Sequence, residues 1–533
     1  MNLGTGSRAR GLTLLLTAAV VATGGAVATA KTPPKKAAKK PAAHKPWTPP
    51  KVTGPCAADM SASGGDWATY GQDLMGAQQQ AREKTISTAN VAGLTQAWTT
   101  PSTGYASIPI VAGGCVFIVD STNGLEALSL KTGQVLWKAH GLDSGGGGVG
   151  GLTGGAYAVS VDHDLVHIAL QGVQKPFAAA FHISDGSLAW VSDPVWFGYA
   201  ANELASAIVF TPPSYPHGLQ LLTTTGPDFD PKARPGYALI DARTGKTLFS
   251  STFIPPAEIA KGYAGGGVWG TPTVDPTSGY AFLGTANPDS DTKEHPYTNA
   301  VLKIDVDPAR KATFGHIVAF MKGDPDAIVP QAYNTPVCQQ TDGVFPNAGP
   351  YGGSPFCTQT DAEFGVGPTL WRDKSGTLRG AILQKSGTFW IFNAETMTPL
   401  HTLTLSPNLG ALSTDITRVA TDGKTLYVDA FPSMLWAIDA ETGAITWATP
   451  TPEQTAGGNV AVANGVVYYV GFNGPQAFDA ATGVPLWVAA VQGNGSPNAD
   501  IGGENQADGV AIAGHTVVTT STLGVISAWR IPG

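Results

Sequence analysis

The sequence has little charge, and its basic residues are unevenly placed. Charged residues make up 13% of the 533 positions, and the formal net charge is −8. Positions 1–51 contain nine basic residues and no acidic one, so 22 basic and 39 acidic residues remain in the rest of the chain. That remainder carries about −17, which opposes nucleic-acid binding because such binding needs a basic surface.

Long hydrophobic runs are also scarce, since only one extends from Leu12 to about Ala30. It follows Arg8 and Arg10 and ends in Ala28-Thr29-Ala30, which predicts a secretory signal peptide over residues 1–30. The alternative is a retained membrane anchor, because about nineteen residues can just span a bilayer. The Gly and Thr content and the small-residue ending favour cleavage, and no second apolar run predicts a transmembrane helix in the mature chain.

The next segment contains little that could be buried. Residues 31–55 are rich in Lys, Pro and Ala, which predicts an extended or disordered tether. We therefore expect a secreted or envelope-associated protein whose folded part comprises residues 56–533.

Only four cysteines occur, and no Cys-x-x-Cys-His motif is among them, so a covalently attached c-type haem is excluded. In an exported protein four cysteines suggest two disulfides. We expect Cys338 to pair with Cys357 and Cys56 with Cys115. The ten histidines form no His-x-His or His-Glu-x-x-His arrangement, which argues against a zinc site.

Amphipathic helical stretches are few, whereas one short pattern recurs along the chain. In each copy, a strand is followed by Asp or a small residue, then by a two-residue spacer and a Gly. A second strand, which contains an aromatic residue, comes after the Gly. The clear copies are SLKTGQVLW (129–137), HISDGSLAW (182–190), IDARTGKTLF (240–249), IDAETGAITW (438–447) and FDAATGVPLW (478–487). Weaker copies are FNAETMTPLH (392–401) and VLKIDVDPARKATFG (301–315).

Paired apolar strands around a Gly turn precede several of these copies, giving about four strands in each unit. Such units repeated radially predict an all-β fold, an eight-bladed β-propeller of four-stranded antiparallel blades. We expect the Gly of each turn to adopt φ > 0 and each Trp to wedge between neighbouring blades. The last strands, within 515–529, should pair with the segment around Leu94–Trp98 and close the ring.

One stretch, from Tyr263 to Pro288, differs from the repeat and lies where the copies are spaced most widely. Three glycines, among them Gly266 and Gly267, precede Trp269, and a second strand leads to Asn287. Glycines let a backbone pass close to a flat or bulky group, Trp269 could be a stacking platform, and Asn287 could be a metal ligand or polar anchor. The alternative is a core tryptophan and an ordinary Asn-Pro turn.

The repeats, together with the opening segment DWATYGQDLMGAQQQAREKTISTANVAGLTQAW (66–98), resemble the propellers of pyrroloquinoline quinone (PQQ)-dependent alcohol dehydrogenases. The motifs are closest to the polyvinyl alcohol dehydrogenase branch. Non-enzymatic scaffold proteins of the bacterial outer membrane share the repeat. The resemblance therefore implies the fold more strongly than it implies catalysis.

The resemblance also implies roles for individual residues. Trp269, with Gly266 and Gly267, would form one face of the quinone pocket. Asn287 in GTANP would be a Ca²⁺ ligand, and Lys385 in QKSG would contact the quinone oxygens. In TDAEFGVGP, Glu363 stands at the position of the catalytic base, which is also close to the metal, with Asp361 as the alternative.

Three departures from the family pattern bear on this interpretation. The chain has no adjacent Cys-Cys pair for the other face of the quinone, and an earlier Ca²⁺ ligand would be Asp228 or Asp230 instead of Glu. The expected base is Glu363, one methylene longer than Asp. The resemblance predicts oxidation of an alcohol, with secondary and polymeric alcohols among the candidates, using PQQ and Ca²⁺ and passing electrons to an external acceptor such as a cytochrome. The alternative is a non-catalytic propeller that scaffolds envelope proteins or binds cell-wall polymer.

Overall fold

A computed structural model describes most of the chain after residue 46. The described ranges are 47–101, 106–120, 124–141, 158–170, 176–195, 197, 207–226, 231–290, 293–325, 362–405, 418–430, 434–451, 459–471, 474–489, 509–520 and 525–533. The chain divides into two units, Met1–Pro46 and Trp47–Gly533, and the second contains all of the described residues. Asp228, Asp230, Asp361 and the expected Cys338–Cys357 pair lie outside the described residues.

The second unit is built almost entirely from short strands. Strand β1 (Thr95–Pro101) comes first. Blade I consists of β2 (Ile110–Ala112), β3 (Cys115–Asp120), β4 (Gly124–Ser129) and β5 (Val135–Lys138). Blade II consists of β6 (Ser160–Asp162), β7 (Leu165–Leu170), β8 (Phe177–His182) and β9 (Leu188–Val191). Blade III consists of β10 (Ile208–Phe210), β11 (Leu219–Thr223), β12 (Gly236–Asp241) and β13 (Thr247–Thr252).

The next three blades follow the same plan. Blade IV consists of β14 (Thr273–Asp275), β15 (Tyr280–Gly284), β16 (Ala300–Asp305) and β17 (Ile317–Lys322). Blade V consists of β18 (Thr369–Arg372), β19 (Leu378–Leu383), β20 (Thr388–Asn393) and β21 (Thr398–Thr404). Blade VI consists of β22 (Ala420–Thr421), β23 (Thr425–Ala430), β24 (Met434–Asp439) and β25 (Ile445–Pro450).

The last two blades complete the ring. Blade VII consists of β26 (Asn459–Ala463), β27 (Val466–Gly471), β28 (Gly474–Asp479) and β29 (Pro485–Val488). Blade VIII consists of β30 (Gly509–Ala513), β31 (Thr516–Thr520) and β32 (Val525–Arg530), to which β1 is added as the fourth strand. The helical elements of the described residues are α1 (Pro256–Ile259) and a 3₁₀ turn at Val91–Gly93.

Each blade is an antiparallel sheet, and in blades I–VII its strands follow chain order. The first strands of adjacent blades contact one another, as β18 does with β22 and β30 with β2. The first and last strands, β1 and β32, pair and close the ring, with Trp98 opposite Ala528. The eight-bladed propeller and its closure by the predicted segments are therefore confirmed.

The repeat motif is explained by contacts within and between blades. The Asp241 carboxylate accepts hydrogen bonds from the backbone nitrogens of Arg243 (2.9 Å) and Thr244 (2.8 Å), which forms the turn. Gly245 then adopts φ +72°, and a Cβ placed on it would lie 2.6 Å from the Trp190 ring of the preceding blade. Trp190 Nε1 donates to the carbonyl oxygen of Ala242 at 3.0 Å. The predicted Trp wedge is thus seated on the predicted glycine of the next blade.

A segment near the start of the unit runs across the first strands of the blades. Backbone hydrogen bonds join Trp67 to Val111, Ala68 to Val161, Leu74 to Val274, Met75 to Leu370, Ala77 to Thr421 and Gln78 to Val462. Gln80 Nε2 donates to the carbonyl oxygen of Ile512 at 2.9 Å. We call residues 65–80 the axial segment, because these partners belong to seven of the eight blades.

The N-terminal part of this unit is fixed by a covalent link. Cys56 and Cys115 form the expected disulfide, with their Cα atoms 5.3 Å apart. It ties the chain ahead of the axial segment to β3 of blade I. None of the helices in the described ranges combines the length and the hydrophobicity needed to cross a bilayer.

Candidate functional site

The glycine-rich stretch lies beside the end of β15 in blade IV. Gly266 donates its backbone N–H to the carbonyl oxygen of Asn287 at 2.9 Å, and Ala286 donates to that of Gly267 at 2.7 Å. A Cβ on Gly265 would lie 2.2 Å from the Asn287 oxygen, and one on Gly267 would lie 2.4 Å from Thr225 Oγ1. These two glycines are therefore required by close approach to neighbouring protein atoms.

In blade V, an acidic and a basic residue, Glu363 and Lys385, lie at the edge where β18 begins and β19 ends. Glu363 precedes the first strand of this blade and Lys385 follows the second, so antiparallel pairing brings them to the same edge. Lys385 donates its backbone N–H to the Glu363 carbonyl oxygen at 3.1 Å. Its Nζ also donates to Glu363 Oε1 at 2.5 Å, and both side chains are less than one-tenth exposed. Such a buried ion pair keeps both charges out of water.

Trp269 joins this pair from the neighbouring blade. Its Nε1 donates to Glu363 Oε2 at 3.1 Å, while Lys385 Nζ lies 5.1 Å from the centroid of its ring. A cation over an indole face is an attractive contact. The carboxylate thus has a donor on each oxygen, and an aromatic face, an acid and a cation meet in one buried cluster. We refer to Trp269, Glu363 and Lys385 as the site cluster.

Asn287 lies near this cluster at the end of β15. Thr285, two residues before it, accepts a hydrogen bond from the Phe364 backbone N–H at 3.1 Å. This bond joins the two chain segments that carry Asn287 and Glu363. Asn287 is 7% exposed, so its side chain belongs to the interior.

Gln384, the residue immediately before Lys385, is a site residue that no sequence motif predicted. Its fully buried side chain donates through Nε2 to the carbonyl oxygens of Ala362 and Asp324. Its Oε1 accepts from Asp324 N and from Trp390 Nε1, each at 2.9 Å. Gln384 therefore fixes the backbone beside Glu363 as well as the turn that holds Lys385. The only sequence signal was its position in the QKSG turn.

Two of the expected metal ligands, Asn287 and Glu363, belong to the described residues. Within the described ranges, no three His, Cys, Asp or Glu side chains are grouped so that they could hold a metal ion. Ca²⁺ prefers six to eight oxygen ligands. Asn287 and Glu363 could supply amide and carboxylate oxygens. The other expected ligands, Asp228 and Asp361, are outside the described residues.

The site cluster does fit a planar anionic quinone. The Trp269 ring offers a flat aromatic face, and the Lys385 ammonium beside it offers a positive charge to quinone and carboxylate oxygens. Glu363 holds an acceptor next to both groups. Such groups can bind a cofactor, orient it and tune its electrostatic surroundings, while the cofactor itself carries the redox chemistry.

Comparisons with known proteins agree with the propeller fold. Residues 68–139 and 365–531 match the PQQ_2 family, described as outer membrane protein assembly factor BamB. A search of the curated proteins found no sequence relative. The unmatched interval between these two parts contains Trp269, Asn287 and Glu363, whereas Lys385 lies in the matched part.

Three solved structures show the extent of the likeness. Quinohemoprotein alcohol dehydrogenase from Comamonas testosteroni has a TM-score of 0.64 at 14% identity, covering 89% of this chain and 81% of its own. A europium-containing methanol dehydrogenase gives 0.63 at 12% identity, with coverage of 87% and 90%. BamB from Moraxella catarrhalis gives 0.51 at 12% identity, with coverage of 82% and 99%. At these identities the likeness shows a shared propeller fold alone.

Proposed function

We propose that this protein is a quinoprotein dehydrogenase that binds PQQ and Ca²⁺ and oxidises an alcohol, as the polyvinyl alcohol dehydrogenase-like motifs suggest. The observation that carries the proposal is the site cluster. Trp269 and Lys385 both hydrogen-bond to the Glu363 carboxylate, although Trp269 is 94 residues and Lys385 22 residues away from Glu363 in sequence. Structural neighbours that are PQQ-dependent dehydrogenases support the same assignment.

Each residue of the cluster has a role that follows from its chemistry. PQQ, when bound, would accept the hydride of the alcohol. Glu363 is the carboxylate that would take the hydroxyl proton, with Asp361 as the alternative base. Trp269 would bind the flat face of the cofactor, and Lys385 would bind its oxygens through the ammonium group. Gly266 and Gly267 would line the same face, as the resemblance implies.

The metal would be held by oxygen donors. Asn287 and Glu363 would be two of them, Asp228 a third, and the cofactor itself would supply others. Bound Ca²⁺ would add positive charge beside the quinone and the alcohol. Lys385 already balances the Glu363 charge, so metal binding at this carboxylate requires Lys385 and the ion to share it.

Calorimetric titration of PQQ into the protein, with Ca²⁺ and then with a chelator, tests the proposal directly. We expect Ca²⁺-dependent binding that is lost in Trp269→Leu and weakened in Asn287→Ala. Trp371→Leu is the matched control, because Trp371 is 5% exposed and Trp269 is 7% exposed, yet Trp371 lies in the core of blades V and VI. Equal loss in both variants, or no binding to the wild-type protein, would contradict the proposal.

Reduction of a dye by the PQQ-loaded protein would then define the substrate. Primary, secondary and polymeric alcohols should be compared at equal hydroxyl concentration. Activity confined to one of these classes would assign it, and absence of activity with all of them would leave PQQ binding without dehydrogenase function.

The second candidate is a non-catalytic propeller that scaffolds envelope proteins or binds cell-wall polymer. The match to the BamB-described family favours it for the regular blades. This function predicts partner capture that is unchanged by Glu363→Ala and Lys385→Ala. Capture abolished by those two changes would instead connect the partner with the site cluster.

We also propose that the chain is exported, with residues 1–30 removed, residues 31–55 forming a tether and electrons leaving to an external acceptor such as a cytochrome. Amino-terminal sequencing of the protein recovered from the culture medium or the envelope would test the first step. A protein that still begins at residue 1 would contradict cleavage.

A further inference from the structure

Arg418 is a fully buried arginine on the propeller axis that the proposed reaction does not use. It precedes β22 and is 0% exposed. One nitrogen, Nη2, donates to the carbonyl oxygen of Thr271, two residues after Trp269. The guanidinium carbon lies 4.5 Å from the centroid of the Tyr70 ring, in the axial segment. Arg418 thus connects the axial segment to the loop that carries Trp269.

The other two nitrogens of this guanidinium have no hydrogen-bond partner among the described residues. Nε and Nη1 are buried, and no acceptor in the described ranges hydrogen-bonds to either one. Among the described residues, Asp73 is the carboxylate whose charge acts on Arg418. Asp73 is exposed, and its Oδ1 accepts the Ala77 backbone N–H at 3.0 Å.

The backbone around the guanidinium consists largely of glycine. A Cβ on Gly76 or Gly71 would lie 2.7 or 2.8 Å from Nη1, and one on Gly367 would lie 3.1 Å from Nη2. Side chains are therefore excluded at three positions that surround the charge. Gly367 follows Glu363 by four residues, so both loops of the site cluster approach Arg418.

An unpaired arginine in this position is energetically unfavourable. Its guanidinium stays charged at any physiological pH. Removal of a charge from water costs several kcal/mol unless an opposite charge and hydrogen bonds compensate for it. Burial lowers the pKa of Arg418 from its usual value, and the Asp73 charge opposes this effect only in part.

We propose that Arg418 binds a small monovalent inorganic anion, such as chloride, on the propeller axis. The anion accepts hydrogen bonds from Nε or Nη1 and neutralises the guanidinium between the axial segment and the loops of Trp269 and Glu363. This site is independent of PQQ and of any catalytic activity.

Two measurements on the whole protein test the site. The first is thermal unfolding at fixed ionic strength while chloride replaces gluconate, which is too large for a buried site. We expect the midpoint to rise by about 1 °C for each tenfold increase in chloride above the dissociation constant. The Arg418→Gln variant should lose this dependence.

Arg530→Gln is the matched control. Arg530 is a partly buried arginine whose Nε, Nη1 and Nη2 donate to Thr516, Lys131 and Leu130, so it needs no anion. This variant should keep the chloride dependence. Retention of the dependence in both variants would overturn the proposal, since a general effect of chloride on the protein does not require Arg418.

The second measurement is anomalous diffraction from wild-type crystals soaked in bromide, which remains decisive if Arg418→Gln does not fold. A bromide peak beside Arg418 Nε or Nη1 is the expected result. A water molecule at that position, with no bromide peak and equal midpoints in chloride and gluconate, would overturn the proposal.

Discussion

The Glu363 carboxylate is the most informative single group of the site, because it is buried and held from two sides. Trp269 Nε1 donates to one oxygen and Lys385 Nζ to the other. Hydrogen bonds to the charged form favour ionisation, as a general base requires before it can accept a proton. The same contacts fix the position of the carboxylate at the edge of the Trp269 ring.

Replacing Glu363 by Gln tests the contribution of its negative charge, because the side chain keeps nearly the same size and shape. We expect Glu363→Gln to bind PQQ but to oxidise alcohol about 10²- to 10⁴-fold more slowly, because the amide cannot take the hydroxyl proton. Dye reduction by the PQQ-saturated variant measures this. Glu126→Gln is the control, since the largely buried Glu126 also pairs with a lysine, the half-exposed Lys138, at 2.7 Å, but in blade I. Undiminished activity of Glu363→Gln would transfer the role of base to Asp361.

Gln384 acts on the site through other groups. Gln384→Glu keeps an acceptor for Asp324 and Trp390 but loses the donors to Ala362 and Asp324. We expect kcat to fall about 10- to 100-fold with a smaller change in KM, since the variant misplaces Glu363 without removing it. Gln220→Glu is the control because Gln220 is equally buried but lies in blade III. A similar fall in both variants would mean that Gln384 only supports folding.

At this scale the sequence predicted the residues that belong to motifs. Trp269, Glu363 and Lys385 were singled out, and the structure brings their side chains together. Gln384 and Arg418 were not singled out, because their roles depend on backbone carbonyls from remote segments. Every residue has a backbone carbonyl oxygen, so residue types and their spacing could not indicate the roles of Gln384 and Arg418.

Among structural elements, the turn between the third and fourth strands of a blade shows most clearly how the sequence determines the packing. In blade III, Gly245 has φ +72° and lies against the Trp190 ring. Positive φ costs an L-residue about 1–2 kcal/mol, and contact with a packed ring adds a separate cost. The same contact recurs where Gly133 meets Trp98 and where Gly483 meets Trp447.

These two costs can be separated with a pair of alanine variants. Gly245→Ala should lower the free energy of unfolding by about 3–5 kcal/mol, because strain and a clash with Trp190 add. Gly376→Ala should lower it by only about 1–2 kcal/mol, since Gly376 has φ +86° but no atom within 4 Å of the added methyl. Urea unfolding of the two variants checks the difference. Equal losses would show that Trp190 moves aside freely.

The blades could be predicted because one local motif serves two purposes. The Asp and Gly of each copy shape the turn, and the same Gly receives the Trp of the previous blade. The copy at 301–315 has an altered turn but keeps the contact between a glycine and an aromatic ring of the previous blade, since Gly315 packs against Phe249. The course of the axial segment could not be predicted, because it pairs in single hydrogen bonds with strands from most of the ring.

On the scale of the whole molecule, distant parts of the chain are held together at several points. Strand β1 completes blade VIII, the Cys56–Cys115 disulfide fixes the region before it, and the axial segment bonds to seven blades. Loss of one blade therefore disturbs the others. We expect the stability of the ring to depend on groups far from the site cluster.

His167 is such a group, and it should make stability depend on pH. It is fully buried in β7, where its Nδ1 lies 3.3 Å from Gln220 Oε1 and its ring is 5.7 Å from that of Trp190. Gln220 Nε2 donates to the Ile168 carbonyl oxygen, so Gln220 Oε1 is an acceptor and His167 is neutral with its proton on Nδ1. Burial lowers the pKa of His167 to about 4, against the opposing effect of Asp162 and with a contribution from Arg243.

The direction of the effect follows from proton binding. Between the unfolded pKa of about 6.5 and the folded pKa of about 4, the unfolded chain binds the extra proton. The stabilisation is therefore complete above about pH 6.5 and is lost progressively as the pH falls to about 4, by at most about 3 kcal/mol. His167→Gln should unfold with a flatter pH dependence across this window, measured as the thermal midpoint from pH 7 to pH 4. His295, whose pKa is also lowered by burial, contributes in the same direction, so His295→Gln should flatten the curve less. A wild-type midpoint that rises on acidification over this range would show that His167 is protonated in the folded protein.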